Sequence, residues 1–225
     1  MRVVEATDAV DSRREQILDA ALKVIVERGY PETRISDVAE QAGTSPALVI
    51  YYFKTRDQLL TEAIRLSEDR WYAAGQRRIT EIPTSAGRLE ALVAMSCLPE
   101  EEGADATSWV IWLDLWAQAA RSPEVGRVRQ DFDRHWRTTI AELVAEGQQR
   151  GEFAALDAED FAITMSALID GFAVQSALGD PAVGSDRAFR LCMRFAASQL
   201  GFRWPEPSGR GGRSARRRAG SRQSS

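Results

Sequence analysis

The stretch that most constrains this chain is Thr33 to Arg56, TRISDVAEQAGTSPALVIYYFKTR. Its pattern predicts two short helices joined by a tight turn. Thr33 can act as an N-cap, because its hydroxyl can satisfy an orphan N–H of the first turn. Ile35, Val38, Ala39 and Ala42 then recur at helical spacing. Gly43 ends that helix, supplying the left-handed backbone that glycine adopts cheaply. Ser45 and Pro46 open the next helix as N-cap and first residue. Val49 and Phe53, four apart, face inward together. Ser45, Pro46, Ala47, Leu48, Ile50, Tyr51, Tyr52 and Lys54 are left facing outward, with Thr44 in the turn. No carboxylate occurs from Gln41 through Arg56, as a surface that meets phosphates requires. This describes a helix-turn-helix whose second helix enters the major groove. The bland alternative is a helical hairpin in an ordinary all-α core.

The surrounding residues narrow the choice. A first helix ends in Gly29–Tyr30, ISDVAEQAG follows with a Thr ahead of it, and SPALVIYYFKTRDQLL carries aromatics, Phe and Lys at its end. Over the first 65 or so residues the chain resembles the DNA-binding domain of the TetR family of one-component repressors. One departure is Ile50, where the family usually has Tyr, so no hydroxyl is available at that position. The resemblance implies an all-α homodimer with a four-helix dimer interface, repression of a near-palindromic operator, and release by a small molecule.

The whole chain has 225 residues and 44% hydrophobic content, ample for a core. No apolar run approaches the ~18 residues a membrane span needs. MRVVEATDAVDSRREQ carries acids and no apolar segment, so it is no signal peptide. Cys97 and Cys192 fit no metal spacing and suit a reducing cytoplasm as small apolar residues, with a redox pair as the alternative. The net charge of −4 hides an asymmetry: Arg203 to Ser225 holds seven Arg and one acid, leaving 22 basic against 32 acidic residues elsewhere. A body that acidic is no general polyanion binder, so affinity for DNA must come from a local patch.

In order, residues 1–11 are expected to be disordered, and Ser12 to Glu15 reads as a capping box. Ile17, Ala21, Leu22 and Ile25 form the buried stripe of a helix reaching Arg28. Arg13 and Arg14 in its first turn either reach a phosphate or are solvated. Residues 12–56 form the DNA-binding unit. Residues 57–202 form a ligand-binding and dimerisation unit, all helical: about nine helices in the whole chain. Thr55 caps a helix expected to run to about Ile79, roughly 35 Å at 1.5 Å per residue. Gly87–Leu98, Thr107–Ala120, a helix capped at Ser122 and reaching Arg150, Asp157–Leu178, and one capped at Ser185–Asp186 follow. The tail 203–225 reads as low-complexity and disordered; its charge either adds nonspecific affinity for DNA or has no role.

No reaction constellation is present. The lone His135 lies on a helix flank without partners, and there is no metal cluster, cofactor loop or nucleophile motif, so neither an enzyme nor a cofactor is expected. The alternatives to a ligand-controlled regulator are a DNA-binding protein without ligand and a helical small-molecule carrier. About 140 residues beyond Arg56 exceed what DNA binding alone requires.

Three sets of site residues follow. Base edges fall to Ser45, Pro46, Ala47, Leu48 and Ile50, and phosphates to Arg34, Tyr51, Tyr52, Lys54 and Arg56. For the ligand, six Trp is high, and Trp109, Trp112, Trp116 and Trp136 fall close together. With Trp71, Met95, Phe132, Met165 and Phe172 they would line a pocket. Asp114 and Asp170, if inward, would make it a site for an organic cation; otherwise an apolar, drug-like or lipid-like compound fits. For the dimer, Phe161, Met165, Leu168 and Phe172 form one stripe of a helix and Ile163, Ala167, Gly171 and Val174 another, and a helix apolar on two sides is buried on two sides. The interface candidates are Phe161, Leu168, Gly171, Gln175, Phe189, Cys192, Phe195 and Ala196.

Overall fold

The computed structural model describes residues 2–98 and 107–205, with side chains from residue 12 onward except those of 107, 108 and 110. Among these residues all regular structure is helical: α1 (Arg2–Arg28), α2 (Ile35–Gln41), α3 (Pro46–Phe53), α4 (Arg56–Thr80), α5 (Ser85–Cys97), α6 (Thr107–Ala119), α7 (Pro123–Gln149), α8 (Ala158–Ala177) and α9 (Ser185–Leu200). None is long and apolar enough to cross a membrane. The acidic loop at 99–106 and the basic tail from 206 lie outside the described residues.

Most helix starts follow from side-chain caps. Ser45, Thr55, Thr84, Ser122 and Asp157 each accept a backbone N–H of the first turn, worth about 1 kcal/mol apiece. Four expectations fail. The first helix begins at Arg2, not Ser12; no Gly or Pro interrupts the residues between, and a helix once nucleated gains a bond with each residue added. Thr33 is not the N-cap of α2. That position is Arg34, and the buried Thr33 hydroxyl donates instead to the Gly29 carbonyl at 2.8 Å, since a buried hydroxyl must find a partner. Gly184 rather than Ser185 caps α9. Order continues past Arg203, because Trp204 packs edge-on against Phe189 at 5.8 Å.

Two cores form. One joins α1–α3 and the first half of α4, with Ile17, Val24, Tyr30, Val38, Val49, Phe53, Leu59 and Leu60 at its centre. The other joins α5, α8, α9 and the second half of α7 around Leu89, Ile140, Met165, Cys192 and Met193. Each fully buried large apolar side chain contributes roughly 1.5–3 kcal/mol. Three helices belong to both. α4 gives Leu59 to the first core and Ile79 to the second; α7 gives Val125 and Ile140; α6 gives Leu115 to the first and lays Trp109 against the second. A cavity lies at the seam between the cores.

Candidate nucleic-acid interface and ligand cavity

The helix-turn-helix forms as its residues require. Gly43 takes φ +59, and Ser45 Oγ accepts from the Leu48 N–H at 3.3 Å. Val49 and Phe53 are buried, whereas Ile50 and Tyr51 are 47% and 69% exposed. Ser45, Pro46, Ala47 and Lys54 are exposed, and Thr44 and Leu48 half-buried. Arg34 is exposed at the start of α2.

α3 ends abruptly. Lys54 has φ 59 and ψ −53, and the Thr55 N–H donates to the Phe53 carbonyl at 2.5 Å. That is a γ-turn, strained for any residue with a side chain. Lys54 Nζ donates back to the Tyr51 carbonyl at 2.8 Å and stands 5.3 Å from the Tyr51 ring centroid. The ammonium and the phenol thus leave the helix end together.

Two phosphate candidates are engaged elsewhere. Arg56 donates to the carbonyls of Tyr30, Pro31 and Thr33, pairs with Asp57, and lies over the Tyr30 ring. It clamps the α1–α2 turn rather than facing out, because those carbonyls have no helical partner. Tyr52 is half-buried against the first core. Of the α1 arginines, Arg14 pairs with Glu62 and covers the Phe53 ring, and Arg13 donates to the Gly43 carbonyl at 3.2 Å.

The second site is a cavity of about 140 Å³. α4 supplies Glu68, Trp71 and Tyr72, α5 Met95 and Ser96, and α6 Trp109, Trp112 and Trp116. α7 supplies Phe132, Asp133 and Trp136, and α8 Ser166, Ile169 and Asp170. The rings brace one another edge to face: Trp71 on Trp136 at 6.0 Å, Trp112 on Phe132 at 5.6 Å. Among the described residues, no Lys or Arg lines the cavity. Burial, then Asp69, pushes the Glu68 carboxyl up to about 7. Burial, then Asp133, pushes Asp170 up to about 6 against the opposing pull of Arg129 and Arg137. The buried Trp116 Nε1–H has no protein partner.

Trp71, Met95, Trp109, Trp112, Trp116, Phe132, Trp136 and Asp170 thus meet around one space. Asp114 does not. Its Oδ2 accepts from the Tyr30 backbone N–H at 2.9 Å, on the far side of α6. The helix period already says so, since two positions from Trp112 or Trp116 is about 200° around the axis. Met165 is wholly inside the second core, and the half-buried Phe172 packs against that core without lining the cavity. Glu68, Tyr72, Ser96, Asp133, Ser166 and Ile169 were missed. Glu68 and Asp133 lie three positions before Trp71 and Trp136, the spacing that shares a helix face, and this was the available signal.

The dimer candidates also divide. Phe161, Phe189, Cys192 and Ala196 are buried within their own subunit, because the apolar stripe of α9 already faces α5 and α8. Leu168 and Phe195 are half-buried, while Gly171 and Gln175 are exposed. Ile163, Ala167, Gly171 and Gln175 form an outward stripe at four-residue spacing on α8, with Leu178 75% exposed at its end.

Known proteins resemble the chain over both of its halves. Residues 17–63 match the profile of bacterial regulatory proteins of the tetR family, and residues 85–201 that of the BetI-type transcriptional repressor C-terminal domain. The HTH-type transcriptional regulator BetI of Burkholderia lata is 29% identical over 180 residues, 80% of this chain and 89% of that protein. Among solved structures, a transcriptional regulator from Saccharomonospora viridis in complex with choline superposes with a TM-score of 0.74 at 29% identity, covering 84% of this chain and 98% of that one. A TetR-family regulator from Rhodococcus sp. gives 0.74 at 26% identity over 84% and 99%.

Proposed function

The chain belongs to the TetR family of bacterial transcriptional regulators, and on that premise we propose that it is a cytoplasmic homodimeric repressor released from a near-palindromic operator by a small quaternary ammonium compound of the choline type. Residues 12–56 carry the DNA contacts, and residues 57–202 the ligand and the partner subunit. Ser45, Pro46, Ala47, Leu48 and Ile50 meet base edges, largely through methyl groups and DNA shape. Arg34, Tyr51 and Lys54 meet phosphates. The outward stripe of α8 pairs with its copy, and Gly171, with open space around it, permits close approach.

The observation that carries the ligand class is the cavity's company of rings and carboxylates. A cation over an aromatic face gains ~0.5–2 kcal/mol per ring when desolvated. Half-buried carboxylates are costly to ionise, and the raised Glu68 and Asp170 register that cost, Asp170 in spite of the opposing pull of Arg129 and Arg137. A cation relieves it. Size favours a small ligand over the drug-like alternative: about 140 Å³ is below the ~300–1,000 Å³ of sites for drug-sized ligands. An oxygen on the ligand would take up the free Trp116 N–H. The Saccharomonospora regulator in complex with choline supports the same class.

Trp fluorescence titration with choline and with 3,3-dimethyl-1-butanol, its uncharged isostere, tests this. Choline is expected to bind at least tenfold more tightly, since one ring alone supplies about that much, and to dissolve an operator complex in a gel shift. Equal affinities would remove the cation reading. Operator binding unaffected by any pocket ligand would favour a DNA-binding protein without an effector.

A further inference from the structure

Asp114 is the residue on the back of the cage. Its Oδ2 receives the Tyr30 N–H at 2.9 Å, one residue past Gly29 at φ +82. A Cβ on Gly29 would stand 3.0 Å from that oxygen, so glycine is needed there both for the backbone and for the approach of the carboxylate. From the other side Arg56 of α4 holds the same turn through the carbonyls of Tyr30, Pro31 and Thr33. The turn runs directly into α2, which positions α3. A carboxylate from the ligand side and a guanidinium from the DNA side therefore grip five residues, 29–33, that set the entry of the helix-turn-helix.

α6 connects this grip to the cage. Trp112 and Trp116 line the cavity two positions before and after Asp114, while Leu115 is fully buried in the first core. A cation seated between the Trp rings bears on the helix that also carries Asp114. A hydrogen bond is directional and weakens steeply with misalignment, so the Asp114–Tyr30 bond distinguishes one α6 position from another more sharply than apolar packing does. We propose that Asp114 is the positioning residue through which occupancy of the cage reaches the DNA-binding helices; the identity of the occupant rests on the cation reading above. An apolar route runs in parallel, from Trp112 to Phe132 and on to Arg65 of α4, which lies 5.2 Å from the Phe132 ring centroid.

The test uses the full-length chain, choline and operator DNA. Operator affinity is measured with and without choline, and choline affinity without DNA, for the parent, Asp114→Ala, Asp114→Asn and Arg65→Ala. In Asp114→Ala the two separate affinities are expected to stay within about threefold of the parent, while the factor by which choline weakens operator binding falls about tenfold, a typical coupling. Asp114→Asn keeps an acceptor oxygen and should recover most of that factor. A parent-like factor in Asp114→Ala, or its loss only in Arg65→Ala, overturns the proposal. If the parent ignores choline, the ligand reading fails separately. Transmission is then read from the change in operator affinity that Trp116→Ala causes in the parent and in the Asp114→Ala background: a smaller change in the latter supports the proposal, and equal changes, zero included, overturn it.

Discussion

The recognition helix and the cage use aromatic rings in opposite company. On α3, Tyr51 stands in water beside Lys54, with no carboxylate from Gln41 to Arg56. In the cavity, Trp71, Trp109, Trp112, Trp116 and Trp136 surround Glu68, Asp133 and Asp170, with no basic side chain among the described residues that line it. The first combination offers a cation and hydroxyls to an anion; the second offers ring faces and negative charge to a cation. Polarity is also reversed in depth. The outer face of α3 exposes apolar groups with Lys54 at its end, while the cage holds its carboxylates half-buried among rings. Under the proposed function, one chain answers a phosphate backbone and an ammonium without the two competing for either site.

The largest expected effect separates the sites by charge. Glu68→Gln combined with Asp170→Asn should weaken choline binding about 100-fold, since roughly 1.5 kcal/mol per carboxylate is well within the ~4 kcal/mol of two unit charges 4 Å apart near a protein surface, and leave operator affinity within about threefold. Calorimetry with each partner measures both. If choline binding survives, the carboxylates are incidental and the rings alone make the site.

Next is the converse. Tyr51→Ala with Lys54→Ala should lower affinity for all DNA sequences about equally, by roughly tenfold or more, and reduce the salt slope by about one. Choline binding should not change. Parent-like operator affinity would mean that α3 is not the recognition helix. Changes at Ala47 or Leu48 should alter sequence preference instead.

The two regions also differed in how far sequence exposed them. The helix-turn-helix is local: its caps, Gly43 and its inward pair Val49 and Phe53 lie within 24 residues and follow from helical spacing alone. Helix boundaries beyond it were also legible, since Thr55, Ser122 and Asp157 are caps and Pro83 a stop. The cage is assembled from five helices, and no local rule says which face of α6 meets which face of α8. Composition identified the Trp cluster. It could not place Asp114, because one carboxylate in a Trp-rich helix fits either face until the angle to its neighbours is counted. Nor could it separate the two apolar sides of α8, where Phe161 turned inward and Gly171 outward. Arg56 looked like a phosphate contact because its carbonyl partners lie 23 to 26 positions earlier.

A pH dependence follows from the raised carboxyls. Glu68 at about 7 and Asp170 at about 6 are protonated in the empty cage at pH 5.5. Raising the pH through 6 to 7 ionises them. Choline affinity should therefore rise about 100-fold between pH 5.5 and 8, because a carboxyl that must ionise to meet the cation costs roughly a factor of ten in affinity for each pH unit below its pKa. Stability of the empty protein runs the other way. A carboxyl whose folded pKa is raised gives stability that is present below its unfolded value and lost as pH rises through the folded one. Melting should therefore fall between about pH 5 and 7.5 without choline, and choline should restore it. A choline affinity that is flat across this range would remove the two carboxyls from the site.

The smallest expected effect separates charge from backbone on the DNA side. Lys54 is the one described residue other than glycine with positive φ, 59, and its γ-turn lets α3 stop and Thr55 cap α4 without an intervening loop. A side chain in that conformation costs on the order of 1 kcal/mol, which glycine avoids at some loss to the freer unfolded chain. Lys54→Gly and Lys54→Ala both remove the ammonium and its return to the Tyr51 carbonyl. Their operator affinities should therefore be equal and both below the parent's. Their stabilities should differ, with Lys54→Gly melting roughly 2–4 °C above Lys54→Ala, the shift expected for about 1 kcal/mol at this chain length. Equal melting would mean that the turn is unstrained. Unequal operator affinities would mean that the path of the backbone, and not the charge at its corner, is what the operator reads from Lys54.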